Sequence, residues 1–218
     1  GNVGPAQQRI EQIGLDRLRS NIDLVNRYQT AVFRRQIEAE RDAGEPGEVN
    51  HVKCANIEEK MGIHGSPTCT LVFGQNDNCT GYILGEEGQG MKLMFHLMNA
   101  ARIEVGLKGC AAAGAAHQQA VAYAKEREQF GQKISKFQGL RWMIADMATE
   151  IEAARLMMLS AAEMKDNGEN YTLQASMAKL FASEMVNRIT AKAVQLHGGY
   201  GFTKEYPVER FYRDARVF

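Results

Sequence analysis

The sequence predicts a mainly α protein: an up-down helical bundle preceded by a small antiparallel β module and an N-terminal helix. Three observations carry this expectation. From Met91 onward, apolar residues recur at helical spacing in three long runs joined by short connections, the pattern of antiparallel helices. A Gly- and Pro-containing stretch at residues 43–50 and a glycine cluster at 85–90 break the chain into parts of different character. Between them lies a stretch rich in β-branched and aromatic residues. The expected domains are therefore 1–45, an N-terminal helical segment of unrecognised type; 46–87, a partial β-domain; and 88–218, a helical bundle whose last helix is cut short.

Taken in order, residues 6–42 carry Ile10, Ile13, Leu18, Ile22, Val25 and Val32 at helical steps, with Arg, Glu and Gln between them. Residues 51–57 alternate loosely, and Thr68–Phe73 and Cys79–Leu84 are strand candidates, about three strands in all. A sheet that small needs something to pack against. The run from Met91 to Arg127 places Met94, Met98, Ile103, Val105 and Leu107 on a stripe, followed by alanines from Ala111 to Ala116 that let helices approach closely. The next runs extend from Phe137 to Lys165 and from Thr172 to His197, the latter with Met177, Leu180, Phe181, Met185 and Ile189 in its stripe. A last helix is expected over Tyr206–Val217. Methionines at these spacings read as core filler.

Composition excludes little but is informative about partners. Lys plus Arg number 26 and Asp plus Glu number 26, so no global field favours nucleic acid or an anionic membrane. Cys54, Cys69, Cys79 and Cys110 show no CxxC spacing and read as thiols in a reducing compartment; no metal site is expected. No apolar run approaches the ~18 residues of a membrane span. The first residues are neither a signal nor a convincing transit peptide, and a start without Met suggests a processed or excised chain.

The most constrained stretch runs from Gln195 to Asp214. Gly198, Gly199 and Gly201 follow the helix end at His197, where glycines permit positive φ and close approach of backbone to a ligand. Glycines alone would indicate no more than a helix cap and a tight turn. With Gln195, Phe202, Glu205, Arg210 and Asp214, however, the stretch resembles the C-terminal signature of the acyl-CoA dehydrogenase family. Two further stretches resemble it: Lys60-Met61-Gly62-Ile63-His64-Gly65-Ser66-Pro67-Thr68 with residues 85–91, and Arg127-Glu128-Gln129-Phe130-Gly131-Gln132-Lys133-Ile134 with Phe137-Gln138. In Gly62-Ile63-His64-Gly65-Ser66-Pro67-Thr68-Cys69 and Met98-Asn99-Ala100-Ala101-Arg102 the chain most resembles the branch containing 3-methylmercaptopropionyl-CoA dehydrogenase.

The resemblance implies an FAD-dependent oxidation of an acyl-CoA thioester to the 2-enoyl-CoA, in which a carboxylate takes the α-proton and the flavin the β-hydride. It puts Arg127 beside the FAD pyrophosphate, where its fork suits phosphate oxygens. Gln129 and Phe130 would line the dinucleotide, and Ile134, Phe137 and Gln138 its adenosine half. Gln195, Gly198 and Gly199 would reach the FAD of a neighbouring subunit. Asn99 and Arg102 would face the CoA ligand, Arg102 either as a contact or as a buried ion-pair partner. The implied partners are acyl-CoA, further copies in a homodimer or homotetramer, and an electron-transfer flavoprotein. The implied compartment is the bacterial cytoplasm or, in a eukaryote, the mitochondrial matrix.

Two departures from the family pattern bear on activity. The usual base is a glutamate just beyond the last Arg-Asp-Ala, and the sequence stops at Phe218 before it; the less common position, just before Arg102, is Ala101. Glu104 reads as a solvated helix residue rather than a substitute, so the catalytic residue stays unassigned. The family's front portion, which walls the flavin, has no counterpart in residues 1–42. The expectation is a fragment or shortened member without ordinary turnover. The alternative is a non-catalytic scaffold of the same ancestry, acting through oligomerisation or partner binding.

Overall fold

A computed structural model describes residues 51–75 and 79–218; the helix expected over 6–42 lies outside the described residues. The described chain forms two compact units, one holding 51–58 and Pro67–Met91, the other Glu59–Ser66 and Lys92–Phe218.

In the first unit, β1 (Val52–Ile57) pairs antiparallel with β2 (Cys69–Phe73), running from Val52 opposite Phe73 to Ile57 opposite Cys69. A register shift between Cys54 and Asn56 bends the ladder. The third strand expected at Cys79–Leu84 does not form. Gly81 sits in the middle of that run, where a residue without a side chain has nothing to pack, and Tyr82, Ile83 and Leu84 are exposed.

The second unit is the bundle, and its helices are α1 (Gly90–Glu126, whose first two residues belong to the other unit), α2 (Gln138–Asp166), α3 (Thr172–His197) and α4 (Val208–Ala215). Each boundary has a local cause. Gly168, at φ +74°, stops α2 in a Schellman turn: the Glu169 N–H donates to Met164 O and the Gly168 N–H to Lys165 O. The Asn170 carboxamide oxygen accepts the Thr172 N–H and starts α3. The last helix is shorter than expected, because Pro207 supplies its cap residue and the chain turns after Ala215.

The helices meet on small residues. Ala113, Ala116, Ala120 and Ala124 form a fully buried row on α1. The closest approach lies one to two turns earlier: a Cβ on Gly109 would stand 3.3 Å from Ala182 O, and one on Gly106 would strike the Met158 sulfur. Met147 and Met158 of α2 and Met185, Val186 and Ile189 of α3 fill the interior. Met94, Met98, Met177 and Leu180, all expected in the core, are instead exposed. Their spacing marks an apolar face, but no described residues cover it. Across α2 and α3, Glu150 receives both Arg188 (2.8 Å) and Lys192 (3.1 Å). Burial would push that carboxyl up, but the two donors outweigh it and hold it below the usual glutamate range.

Segment 59–66 is tied to α4. The Ile63 N–H donates to Asp214 Oδ1 (2.6 Å), and Arg213 donates to Met61 O (2.7 Å) while also holding Glu209. Gly62 has no alternative here, since a Cβ would stand 2.5 Å from the Asp214 carboxylate and 2.9 Å from its backbone nitrogen. Two of the three stretches that carry the family resemblance are therefore in direct contact.

Candidate functional site

At the far end of α1, a β-hairpin of β3 (Glu128–Gln129) and β4 (Gln132–Lys133) turns the chain toward a 3-10 turn at Ile134–Lys136. The hairpin loop is Phe130-Gly131, with φ of +53° and +77°. Two positive-φ residues in a two-residue loop match the twist of the strands, and Gly131 adopts this without cost while Phe130 does not. The strained Phe130 stands 93% exposed, its ring edge-on to Phe137.

Opposite the hairpin, α3 ends at His197 and the chain enters a 3-10 turn at Gly198–Phe202. Gly198, at φ +59° and ψ −134°, occupies backbone space that other residues avoid. A Cβ on Gly198 or Gly199 would enter open space, so bare backbone faces outward here. Gly201 is the opposite case: a Cβ there would overlap the Val194 carbonyl oxygen and stand 3.0 Å from its carbon, so the turn lies directly on α3.

Between these two walls is a concavity of about 610 Å³, within the range of small-molecule sites. Arg127, Gln129, Phe130, Ile134, Phe137, Gln195, Gly198 and Gly199 line it together. Gln138, the remaining expected cofactor residue, does not; it opens α2 and is exposed. Arg127 and its neighbours on one side and Gln195, Gly198 and Gly199 on the other face the same space.

The structure adds lining residues that sequence reading missed: Tyr123, Leu140, Leu196, His197, Tyr200 and Thr203. Tyr123 could have been found, since it precedes Arg127 by one helical turn and its carbonyl accepts the Arg127 N–H at 2.9 Å. Tyr200 and His197 meet Tyr123 and Tyr206 only through space. His197 is 2% exposed; Nδ1 lies 2.8 Å from Ala193 O, which requires Nδ1–H to donate, and Nε2 is buried without a partner. Burial pushes its pKa below the ordinary value, with the Ala193 carbonyl opposing, which favours the neutral ring. Arg127 carries the only formal charge among the lining residues, and no carboxylate pairs with it among the described residues.

Asn99 and Arg102 lie elsewhere. Arg102 donates to Asn99 Oδ1 (2.6 Å) and Asn99 donates to Thr172 Oγ1 (3.1 Å). From Arg102 to Tyr123 is roughly 32 Å along the helix axis, so the two groups cannot share one small ligand contact. Glu104, two residues beyond Arg102, is paired with Lys108 at 2.8 Å.

The profile of the acyl-CoA dehydrogenase C-terminal domain matches residues 88–218, more than half of the chain. The chain belongs to the acyl-CoA dehydrogenase family. Among its relatives, it is 47% identical over 167 residues to the CarC subunit of the caffeyl-CoA reductase-Etf complex of Acetobacterium woodii, covering 77% of this chain and 44% of that protein. It is 44% identical over 161 residues to a short-chain-specific acyl-CoA dehydrogenase of Clostridium acetobutylicum, covering 74% and 42%. The butyryl-CoA dehydrogenase structure from Megasphaera elsdenii superimposes with a TM-score of 0.74 at 40% identity, over 79% of this chain and 45% of that one. The chain thus spans under half the length of the curated relatives it matches. Members of this family are FAD-dependent, and its helical C-terminal domain is the mainly α bundle seen here. No helix among the described residues is long and apolar enough to cross a membrane, although α1 runs for 37 residues.

Proposed function

We propose that this chain supplies the C-terminal helical part of an FAD-dependent acyl-CoA dehydrogenase that oxidises an acyl-CoA thioester to the 2-enoyl-CoA, and that its concavity holds the adenosine diphosphate half of the dinucleotide. The observation that carries this is the convergence of eight expected cofactor residues, from two segments about 60 residues apart, on one cavity. The chemistry of the lining fits. A single guanidinium with no carboxylate partner among the described residues offers a bidentate donor to phosphate oxygens, bare backbone at Gly198 and Gly199 permits close approach, and Phe130, Ile134, Phe137 and Leu140 present an apolar wall to a purine.

In this reading Arg127, Gln195, Gly198 and Gly199 serve one and the same dinucleotide. Bound FAD supplies the acceptor for the substrate's β-hydride. The chain's own residues bind and orient: Arg127 neutralises phosphate, Gln129 and Gln195 offer carboxamides, and the aromatic and aliphatic side chains exclude water. Gln138 is not included. Asn99 and Arg102 form a separate, pre-bonded pair for the CoA ligand, about 32 Å away along α1. No residue is assigned as the base; Ala101 has no proton-accepting group.

Homo-oligomerisation belongs to the same reading. Leu173, Met177 and Leu180 form an exposed apolar row on α3, the kind of face a second copy covers. The partner that receives electrons is an electron-transfer flavoprotein, a role supported by the Etf complex in which the CarC relative is a subunit. The compartment proposed is the bacterial cytoplasm or the mitochondrial matrix. The division of the chain at 45/46 and 87/88 is part of the proposal as well.

Calorimetric titration of the 218-residue chain with FAD and with ADP tests the cofactor assignment. Binding of both, weakened at least about tenfold by Arg127→Ala, is the expected result. A chain that binds neither, or an R127A variant that binds both as well as the parent, would overturn it.

A further inference from the structure

The Arg127 backbone is fixed. Its N–H donates to Tyr123 O and its carbonyl accepts the Ile134 N–H, each at 2.9 Å. Its side chain is not fixed by any carboxylate among the described residues, although a long exposed arginine loses much rotamer freedom when it binds. One contact does orient it: the guanidinium carbon lies 5.6 Å from the centroid of the Tyr200 ring, over its face. That is within the range of a cation–π interaction.

The Tyr200 ring is itself braced. It packs against Tyr206 at 5.6 Å, and Tyr206 stands edge-on to Tyr123 (5.5 Å) and to His197 (5.4 Å). Tyr123 and His197 complete the group, stacked at 4.3 Å. The backbone below the ring is equally held, since Tyr200 O accepts from both the Thr203 N–H (3.3 Å) and its hydroxyl (3.0 Å). A neutral His197 suits this arrangement, because an imidazolium here would add a second cation near Arg127 with no acid to meet it among the lining residues.

We propose that Tyr200 is the positioning residue for Arg127: its ring holds the guanidinium at the cavity wall, and the Tyr206–Tyr123–His197 stack holds the ring. The inference rests on the reading of the cavity as a site for a diphosphate-bearing ligand. Its consequence is specific to the anionic part of that ligand. The ring face provides the attraction, so Phe can replace Tyr, whereas Leu keeps the bulk and loses the quadrupole.

The test uses ADP and adenosine as probes on the full chain and on the variants Y200F, Y200L, R127A and Y200L/R127A. Tyr200 is 41% exposed, so Y200L should fold, and circular dichroism and melting temperature establish that it has. Expected are parental affinities for both probes in Y200F, ADP affinity about 3- to 10-fold weaker in Y200L, and adenosine affinity in Y200L within about twofold of the parent. In the R127A background, Y200L should cost nothing further, since its route of action is gone. Equal weakening of ADP and adenosine by Y200L, an undiminished Y200L effect without Arg127, or unchanged ADP binding in Y200L each refutes the positioning role while leaving the cavity assignment standing. A parent chain that binds neither probe removes both.

Discussion

The two ends of α1 are built from similarly apolar sequence and end up in opposite surroundings. Toward Tyr123, the row Ala113, Ala116, Ala120 and Ala124 is fully buried. At the start, Met91, Leu93, Met94, Phe95, Leu97 and Met98 are all exposed. The buried end uses the smallest apolar residues and the exposed end the largest. Small residues bring helix axes close and leave no space for change. Large flexible ones, methionine above all, adapt to a surface they do not meet among the described residues. The lesson is that the cavity end is a finished piece of packing among the described residues, while the other end leaves large apolar side chains uncovered among them.

If the cavity end is finished, its tightest contact should be the least forgiving. Gly201→Ala would force a Cβ into the Val194 carbonyl, and backbone cannot yield as a flexible side chain can. A loss of roughly 3–5 kcal/mol in unfolding free energy is expected, measured by urea denaturation. Next comes Ala120→Leu, which overfills the buried row; about 1–3 kcal/mol is expected from the same measurement. A loss below about 0.5 kcal/mol in either would mean that the packing relaxes, and the contrast between the two ends would fail.

A subtler test of the same end is its pH dependence. Buried His197 has a folded-state pKa below its ordinary value of 6.5. The unfolded chain therefore takes up the proton first. The stability of the neutral, stacked ring is fully present above about pH 6.5 and is lost as pH falls below that value toward the folded pKa. Unfolding free energies between pH 8 and pH 5 should fall on the acid side for the parent and fall less for His197→Gln. Parallel curves would show that His197 is not the group responsible.

Much of this fold is legible from residues alone because its boundaries have local chemical causes. The run Thr172–His197 is bounded by Asn170, which accepts the first N–H, and by Gly198, which alone tolerates the φ and ψ that end it. What periodicity does not report is cover. Met94, Met98 and Leu180 repeat at the same spacing as Met147 and Met185, and only the packing distinguishes them. The hairpin at Glu128–Lys133 was invisible for a different reason: two-residue strands have no period, and the Phe-Gly loop is its only signal. At the site, resemblance points to eight of the residues that line the concavity, whereas it does not reach Tyr200 and His197, because their contacts join segments with no fixed spacing in sequence.

The smallest expected effect lies at the open end of α1. Phe95→Ser removes a large apolar side chain that is 53% exposed. With little area to return to water, the unfolding free energy should change by no more than about 0.5 kcal/mol, against the 1–3 kcal/mol expected for Ala120→Leu. The two variants share a helix and a readout, so differences in method cancel. A Phe95→Ser loss as large as that of Ala120→Leu would mean that the face is already packed within this chain, and the contrast between the two ends of α1 would fail. A near-zero change, with lower light scattering than the parent at high concentration, would instead identify the first turns of α1 as surface that meets another molecule.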